Sequence, residues 1–151
     1  MIIAIDPGKN GGLVLRSHNE IISVDAMPST CMDLTELLEH YKALSIQNNE
    51  SLTAYIEVVH AMPGQGTVSM FTFGQGFGHL EQALADFRIR TVKVQPNAWQ
   101  TALSLSSKGK SKREHKNILK QKAQELFPNI KVTLANADAL LISEYATLNE
   151  R

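Results

Sequence analysis

Met1-Ile2-Ile3-Ala4-Ile5-Asp6-Pro7-Gly8 opens the chain. Ile2 to Asp6 is a short apolar run ending in a carboxylate and closed by a Pro-Gly turn pair. It predicts a strand. Gly11-Gly12 introduce a second run, Leu13 to Leu15, and a third, Ile21 to Val24, follows the polar Ser17-His18-Asn19. Three close runs with short polar breaks predict an antiparallel meander. Thr53 to Val59 is β-branched and aromatic enough for a fourth strand in the sheet interior, and Thr91 to Val94 supplies a fifth.

Between and after these strands the apolar period changes to that of helices. Leu34, Leu37, Leu38, Tyr41 and Leu44 recur at helical spacing, as do Phe73, Phe77, Leu80, Leu84 and Phe87. The second set predicts a long helix over Val68 to Phe87, in spite of Gly74, Gly76 and Gly78, each costing ~1 kcal/mol relative to Ala. Glycines spaced by four let another backbone approach, so this helix is expected to form an interface. Pro96 suits the first turn of a short helix whose Trp99 reads as core. Ser104 to Ser111, rich in Ser, Lys and Gly, is expected to be a mobile loop. Helices over Glu114 to Phe127, stopped by Pro128, and over Ala137 to Leu148 complete the chain.

The 151 residues suit a single domain spanning 1–151, and a 43% hydrophobic, 20% charged composition is ordinary for a globular protein. Cys31 is the one cysteine, so neither an internal disulfide nor a Cys-x-x-Cys zinc site is available. Asp6 cuts the first apolar run too short for a signal segment, and no stretch reaches the ~18 apolar residues of a membrane span. A soluble, cytoplasmic protein without a membrane partner is expected. Net charge is zero but unevenly spread: residues 1–60 carry eight acids and three bases, residues 88–131 eleven bases and two acids. Such asymmetry fits a surface that meets phosphate, though a solvated helix face gives the same count.

Three carboxylates stand out. Asp6 ends the first strand, where Asp before Pro-Gly is also ordinary turn chemistry. Glu57 lies in the apolar frame Tyr55-Ile56-Glu57-Val58-Val59, where an inward charge is costly unless paired or bound to a cation. On an edge face it would be harmless. Asp138 shares a helix face with Leu141, Ile142 and Tyr145, so it points inward, unless it merely caps its helix. Acids on strand one, a central strand and a C-terminal helix can converge at one end of a sheet. Clustered like charges call for hard cations with oxygen ligands, Mg²⁺ or Mn²⁺. Two such ions about 4 Å apart clamp the attacking and leaving oxygens of a phosphodiester.

The opening octet, Tyr55-Ile56-Glu57, Phe73-Gly74 with Gly78, Val94-Gln95-Pro96 with Trp99, Glu125-Leu126-Phe127-Pro128, and Ala137-Asp138-Ala139-Leu140-Leu141-Ile142 occur in this order. In this the chain resembles the RuvC-type crossover-junction endonucleases, most closely their phage and organelle-related branch, over residues 1 to about 146. The resemblance implies an α/β fold, a ribonuclease H-like mixed five-stranded sheet flanked by helices. It also implies Mg²⁺ dependence with Mn²⁺ as a substitute, a homodimer, and paired nicks at a four-way DNA junction that leave 5′-phosphates. A bacterial or phage-infected cytoplasm is the implied setting. Asp6, Glu57 and Asp138 carry over as metal-binding carboxylates and Lys116 as the catalytic lysine, an ammonium suited to charge developing on the scissile phosphate. One departure is clear: where the family places a further acid, or His, about one turn before Asp138, this chain has Leu134 and Ala135.

Lys108, Lys110, Lys112 and Arg113 form the densest basic patch and are expected to hold DNA through phosphate contacts. His60, Met62 and Phe71 are candidates for lining the DNA groove, although Phe71 is read rather as core. His79 and His115 have no metal-ligand spacing. Three other functions compete. A non-catalytic DNA-structure-binding module would explain the missing acid. A broader nuclease would also cut flaps, forks or hybrids. An actin-like ATPase would need two such domains, for which 151 residues are too few.

Overall fold

The computed structural model describes residues 1–58 and 66–150. Five strands, β1 (Ile2–Asp6), β2 (Gly12–Ser17), β3 (Glu20–Ala26), β4 (Thr53–Glu57) and β5 (Arg90–Val94), form one sheet in the order β3-β2-β1-β4-β5. β1, β2 and β3 are the antiparallel meander, while β4 runs parallel to both β1 and β5. The sheet is therefore mixed, with β4 in its interior. Five helices flank it: α1 (Cys31–Gln47), α2 (Thr67–Asp86), α3 (Pro96–Ala102), α4 (Lys112–Leu126) and α5 (Ala137–Asn149).

The alternation of side chains along each strand divides the core in two. Ile3, Ile5, Leu13, Leu15, Ala54 and Ile56 face α1 and α2, where Leu38, Tyr41, Leu80 and Leu84 are fully buried. Ala4, Val14, Tyr55 and Val94 face the other side, covered by Trp99 of α3, Leu119 and Ala123 of α4, and Leu140 and Leu141 of α5. This parity decides where the acids go. Asp6 follows Ala4 by two, and Glu57 follows Tyr55 by two, so both belong to the face under α3, α4 and α5.

Helix boundaries differ from the sequence reading where local capping was overlooked. α4 starts at Lys112, because Ser111 and Glu114 form a reciprocal capping box. Ser111 thus ends the loop expected to be mobile, and Leu105 within that loop is buried in the α-helical face of the core. Gly74, Gly76 and Gly78 are exposed on α2, and a Cβ at any of them would meet nothing within 4 Å. Among the described residues no other part of the chain packs closely on them. No helix among the described residues is long and apolar enough to cross a membrane.

Candidate active site

β1 and β4 are parallel and in register, Ile5 opposite Ile56. Asp6 and Glu57 are the next residue on each strand, so two neighbouring strands end in carboxylates on the same face. The chain then has to leave β1 sharply. Gly8 does so at φ +132°, a backbone state that L side chains rarely adopt, and Gly11 closes the turn by donating its N–H to the Gly8 carbonyl. A Cβ on Gly11 would lie 2.1 Å from the Asp6 carbonyl oxygen, so only glycine fits beside the acid. The tight turn is real, and it presents Asp6 rather than absorbing it.

α5 crosses β1, β2 and β4 and brings the third acid. Asp138 stands in its first turn, but no side chain caps this helix, and the N-cap residue Asn136 instead accepts the Thr133 N–H. The capping explanation for Asp138 therefore fails. Glu57 is 8% exposed and the Asp138 side chain 15%, and Asp6 is half-buried.

The electrostatics show the acids acting on one another. Burial, and then the charges of Asp138 and Glu57, push Asp6 up to about 7, with Lys116 pulling the other way. Burial also raises Glu57, against a hydrogen bond from Trp99, with Asp138 adding to the rise. Asp138 is raised by burial, with Lys116 the main group pulling the other way. Lys116 Nζ lies 3.8 Å from Asp138 Oδ2, which brings the expected catalytic lysine to the cluster. Glu144, six residues after Asp138, faces elsewhere and pairs with the buried Arg16 at 2.7 Å.

Whether these acids suit a divalent metal can be judged from the donors. Three carboxylates offer hard oxygen ligands of the type Mg²⁺ and Mn²⁺ take, and Lys116 alone does not balance their charge. Among the described residues no three His, Cys, Asp or Glu side chains yet form a closed metal cage. The donor chemistry fits a hard divalent cation.

Trp99 is the residue whose role the sequence reading understated. It is fully buried, as expected of core, but its indole N–H donates to Glu57 Oε1 at 2.8 Å. A buried indole needs an acceptor, and an inward glutamate on a strand facing the same helix was the available signal. His115, left without a role, reaches Gln100 Oε1 through Nε2 at 3.2 Å.

The basic residues gather beside the acids. Lys112, Arg113, Lys116 and Asn117 of α4, with Leu134, line a shallow depression of about 370 Å³. Lys108 and Lys110 lie on the exposed preceding loop, where Lys110 Nζ donates to the Ser106 carbonyl at 2.6 Å. Phe71 is 67% exposed, so it is not core. It precedes by two residues Phe73, whose ring comes within 3.7 Å of a Cβ placed on Gly8. This end of α2 therefore lies against the Asp6 turn. His60 and Met62 lie outside the described residues.

Among solved structures the chain is similar to RuvC of T. thermophilus in complex with Holliday junction substrate, with a TM-score of 0.63 at 13% identity, covering 99% of this chain and 94% of that one. The chain has the RuvC fold. A second Thermus thermophilus RuvC structure matches with a TM-score of 0.58 at 14% identity, over 98% of this chain and 96% of the other. No protein-family model and no curated protein matches the chain. The RuvC fold is thus reached here at 13–14% sequence identity to the matched structures.

Proposed function

We propose that the protein is a structure-selective DNA endonuclease that resolves four-way junctions by paired phosphodiester hydrolysis, leaving 5′-phosphates. The observation that carries this reading is the convergence of Asp6, Glu57 and Asp138, from β1, β4 and α5, into one electrostatically coupled group with Lys116 at its side. The RuvC solved with a Holliday junction supports the choice of branched DNA. The ordered motifs from Met1 to about residue 146 support a place in the phage and organelle-related branch. A cytoplasmic site of action, in a bacterial or phage-infected cell, is part of the same proposal.

Asp6, Glu57 and Asp138 would hold Mg²⁺, or Mn²⁺ in its place, as oxygen ligands. A divalent metal held there would supply charge stabilisation for phosphodiester hydrolysis. The chain's own contribution is positional and electrostatic. The parallel register of β1 and β4 sets Asp6 beside Glu57, Trp99 fixes the Glu57 carboxylate, and the core around α5 keeps Asp138 in place. Lys116 offers an ammonium for charge that develops on the scissile phosphate. Lys108, Lys110, Lys112 and Arg113 position the DNA arms through phosphates without reading sequence.

Two nicks in strands related by a two-fold axis call for a C₂ dimer. The open side of α2, with Val68 and Phe71 exposed beside Gly74 and Gly78, is the face proposed for it. Gly78→Leu should weaken that dimer, read as a rise in the monomer fraction by sedimentation at micromolar concentration. An unchanged monomer in both forms would refute the interface.

One observation favours a second reading. Leu134 and Ala135 supply no fourth acid, and the three acids form no closed cage among the described residues, as a non-catalytic junction-binding module would have it. Incubation of the purified protein with four-way, three-way, flap and linear DNA in Mg²⁺ or Mn²⁺ separates the readings. Symmetric nicks confined to the four-way substrate are expected. Binding without cleavage in either metal would establish the module, and equal cutting of all branched forms would establish a broader nuclease.

A further inference from the structure

α3 and α4 each devote two adjacent residues to the site. On α3, Trp99 donates to Glu57 and its neighbour Gln100 meets His115. On α4, His115 meets Gln100 and its neighbour Lys116 pairs with Asp138. A continuous path thus runs from Glu57 through Trp99, Gln100, His115 and Lys116 to Asp138, and the Gln100–His115 hydrogen bond is its only link between the two helices. The bond spans 15 positions of sequence that include the basic loop, so it ties together the two helices that bracket that loop.

His115 shows a second peculiarity. With the Gln100 carbonyl oxygen as acceptor, Nε2 carries the proton and Nδ1 is left as an acceptor. That Nδ1 is buried and has no hydrogen-bond partner. An unpartnered buried nitrogen is unfavourable by itself. Its retention is understandable if the other ring nitrogen is needed where it is.

We propose that Gln100 and His115 are a positioning pair that couples the two halves of the site, so that the orientation of Glu57 and the placement of Lys116 on Asp138 are set together. The purpose of the coupling rests on the nuclease reading; the coupling itself does not. Its effect on the reaction is to hold the Glu57 acid and the Lys116 cation in one geometry. Loss of partners that orient metal-binding carboxylates characteristically lowers metal affinity or activity about tenfold or more.

Trp99 is the only tryptophan, which gives the test an unambiguous reporter. In the metal-free full chain, the indole N–H resonance reads its hydrogen bond to Glu57 directly. Gln100→Ala and His115→Ala are each expected to move it toward the position of a free indole, and His115→Gln, whose amide can donate to Gln100, to return it. The same alanine variants should lower the saturating rate on four-way junctions about tenfold, while the DNA concentration at half-maximal rate stays unchanged. An indole resonance unmoved in Gln100→Ala would overturn the coupling, even if His115→Ala fails to fold. So would a resonance that moves in both alanine variants and is not restored by His115→Gln, since packing rather than the bond would then be responsible. If the wild-type protein cuts no branched DNA in Mg²⁺ or Mn²⁺, the nuclease reading falls, and the indole resonance still decides the coupling.

Discussion

Asp6, Glu57 and Asp138 hang from the strands and the helix that make the core, whereas Lys108, Lys110, Lys112 and Arg113 occupy an exposed loop and the first turn of α4. The acids are confined by packing that could not move without unfolding the sheet. The bases are long side chains in water, free to follow a phosphate backbone. The contrast separates two tasks: chemistry needs charges held against their mutual repulsion, while DNA arms need charges that adapt. Lys116 belongs to both regions, being half-exposed on α4 yet paired with Asp138.

The sharpest way to break this division is to remove one confined charge. Asp6→Asn should lower junction cleavage by on the order of 10³ or more, as expected when a preorganised electrostatic group is lost. Junction binding should stay close to wild type because the basic region is untouched. Cleavage by Asp6→Asn at a near wild-type rate would end the assignment of the acids.

Confinement also has a thermodynamic consequence. Folded Asp6 keeps its proton to about pH 7, whereas an unperturbed aspartate releases it near 3.8. Between those values the folded state binds more protons, so stability is greatest below the lower value and declines as pH rises through about 7. Glu57 and Asp138 are raised as well and act in the same direction. For Asp6 alone the loss is at most about 4 kcal/mol. The metal-free melting temperature should therefore fall from pH 5 to pH 8. Added Mg²⁺ should raise it more at pH 8, where the acids are ionised. A metal-free melting temperature flat across this range would show that neither burial nor mutual repulsion raises these acids.

The basic region should respond differently, and more gently. Lys116→Ala should reduce the rate at saturating DNA by about 10². Replacing Lys108, Lys110 and Lys112 together by Ala should instead weaken binding to DNA of every shape. It should also flatten the salt dependence by roughly one unit of slope per lost phosphate contact. Lys110 already donates to the Ser106 carbonyl, so its share should be the smallest of the three. If Lys116→Ala lost only affinity, the lysine would belong with the adaptable bases rather than with the acids.

The two regions were also unequally legible in the sequence. Strand identity and the meander followed from apolar runs and Gly breaks, because burial on both faces leaves a strong local signature. Asp6 and Glu57 stood out for the same reason, as carboxylates closing apolar runs, although turn chemistry for the one and an edge face for the other explained each equally well from sequence. The pairing of β1 with β4 was not readable, since it joins residues about fifty apart whose register is set by the whole sheet. The Trp99–Glu57 and Gln100–His115 bonds were hidden likewise, because each joins polar atoms brought together only by tertiary packing. Phe71 misled in the opposite sense. Its spacing permits a core residue, but α2 leaves it in solvent.

The smallest expected effect concerns the position where an acid is missing. The sequence suggested that a helix reaching back to residue 135 would put Ala135 and Asp138 on one face. α5 starts at Ala137, so Ala135 precedes the N-cap and is exposed. Yet its carbonyl oxygen lies 3.6 Å from where a Cβ on Gly12 would be, and Gly12 is the β2 residue paired with Asp6. Position 135 therefore remains next to the acids, held by packing on β2 rather than by helical geometry. An acid just before α5 is also favoured by the helix dipole, by roughly 0.3–1 kcal/mol. Ala135→Asp should lower the Mg²⁺ concentration for half-maximal cleavage a few-fold, by bringing one more oxygen donor to the cluster, at little cost in stability. An unchanged Mg²⁺ dependence would mean that the departure from the helical face matters more than the proximity, and that three confined acids are the complete set in this chain.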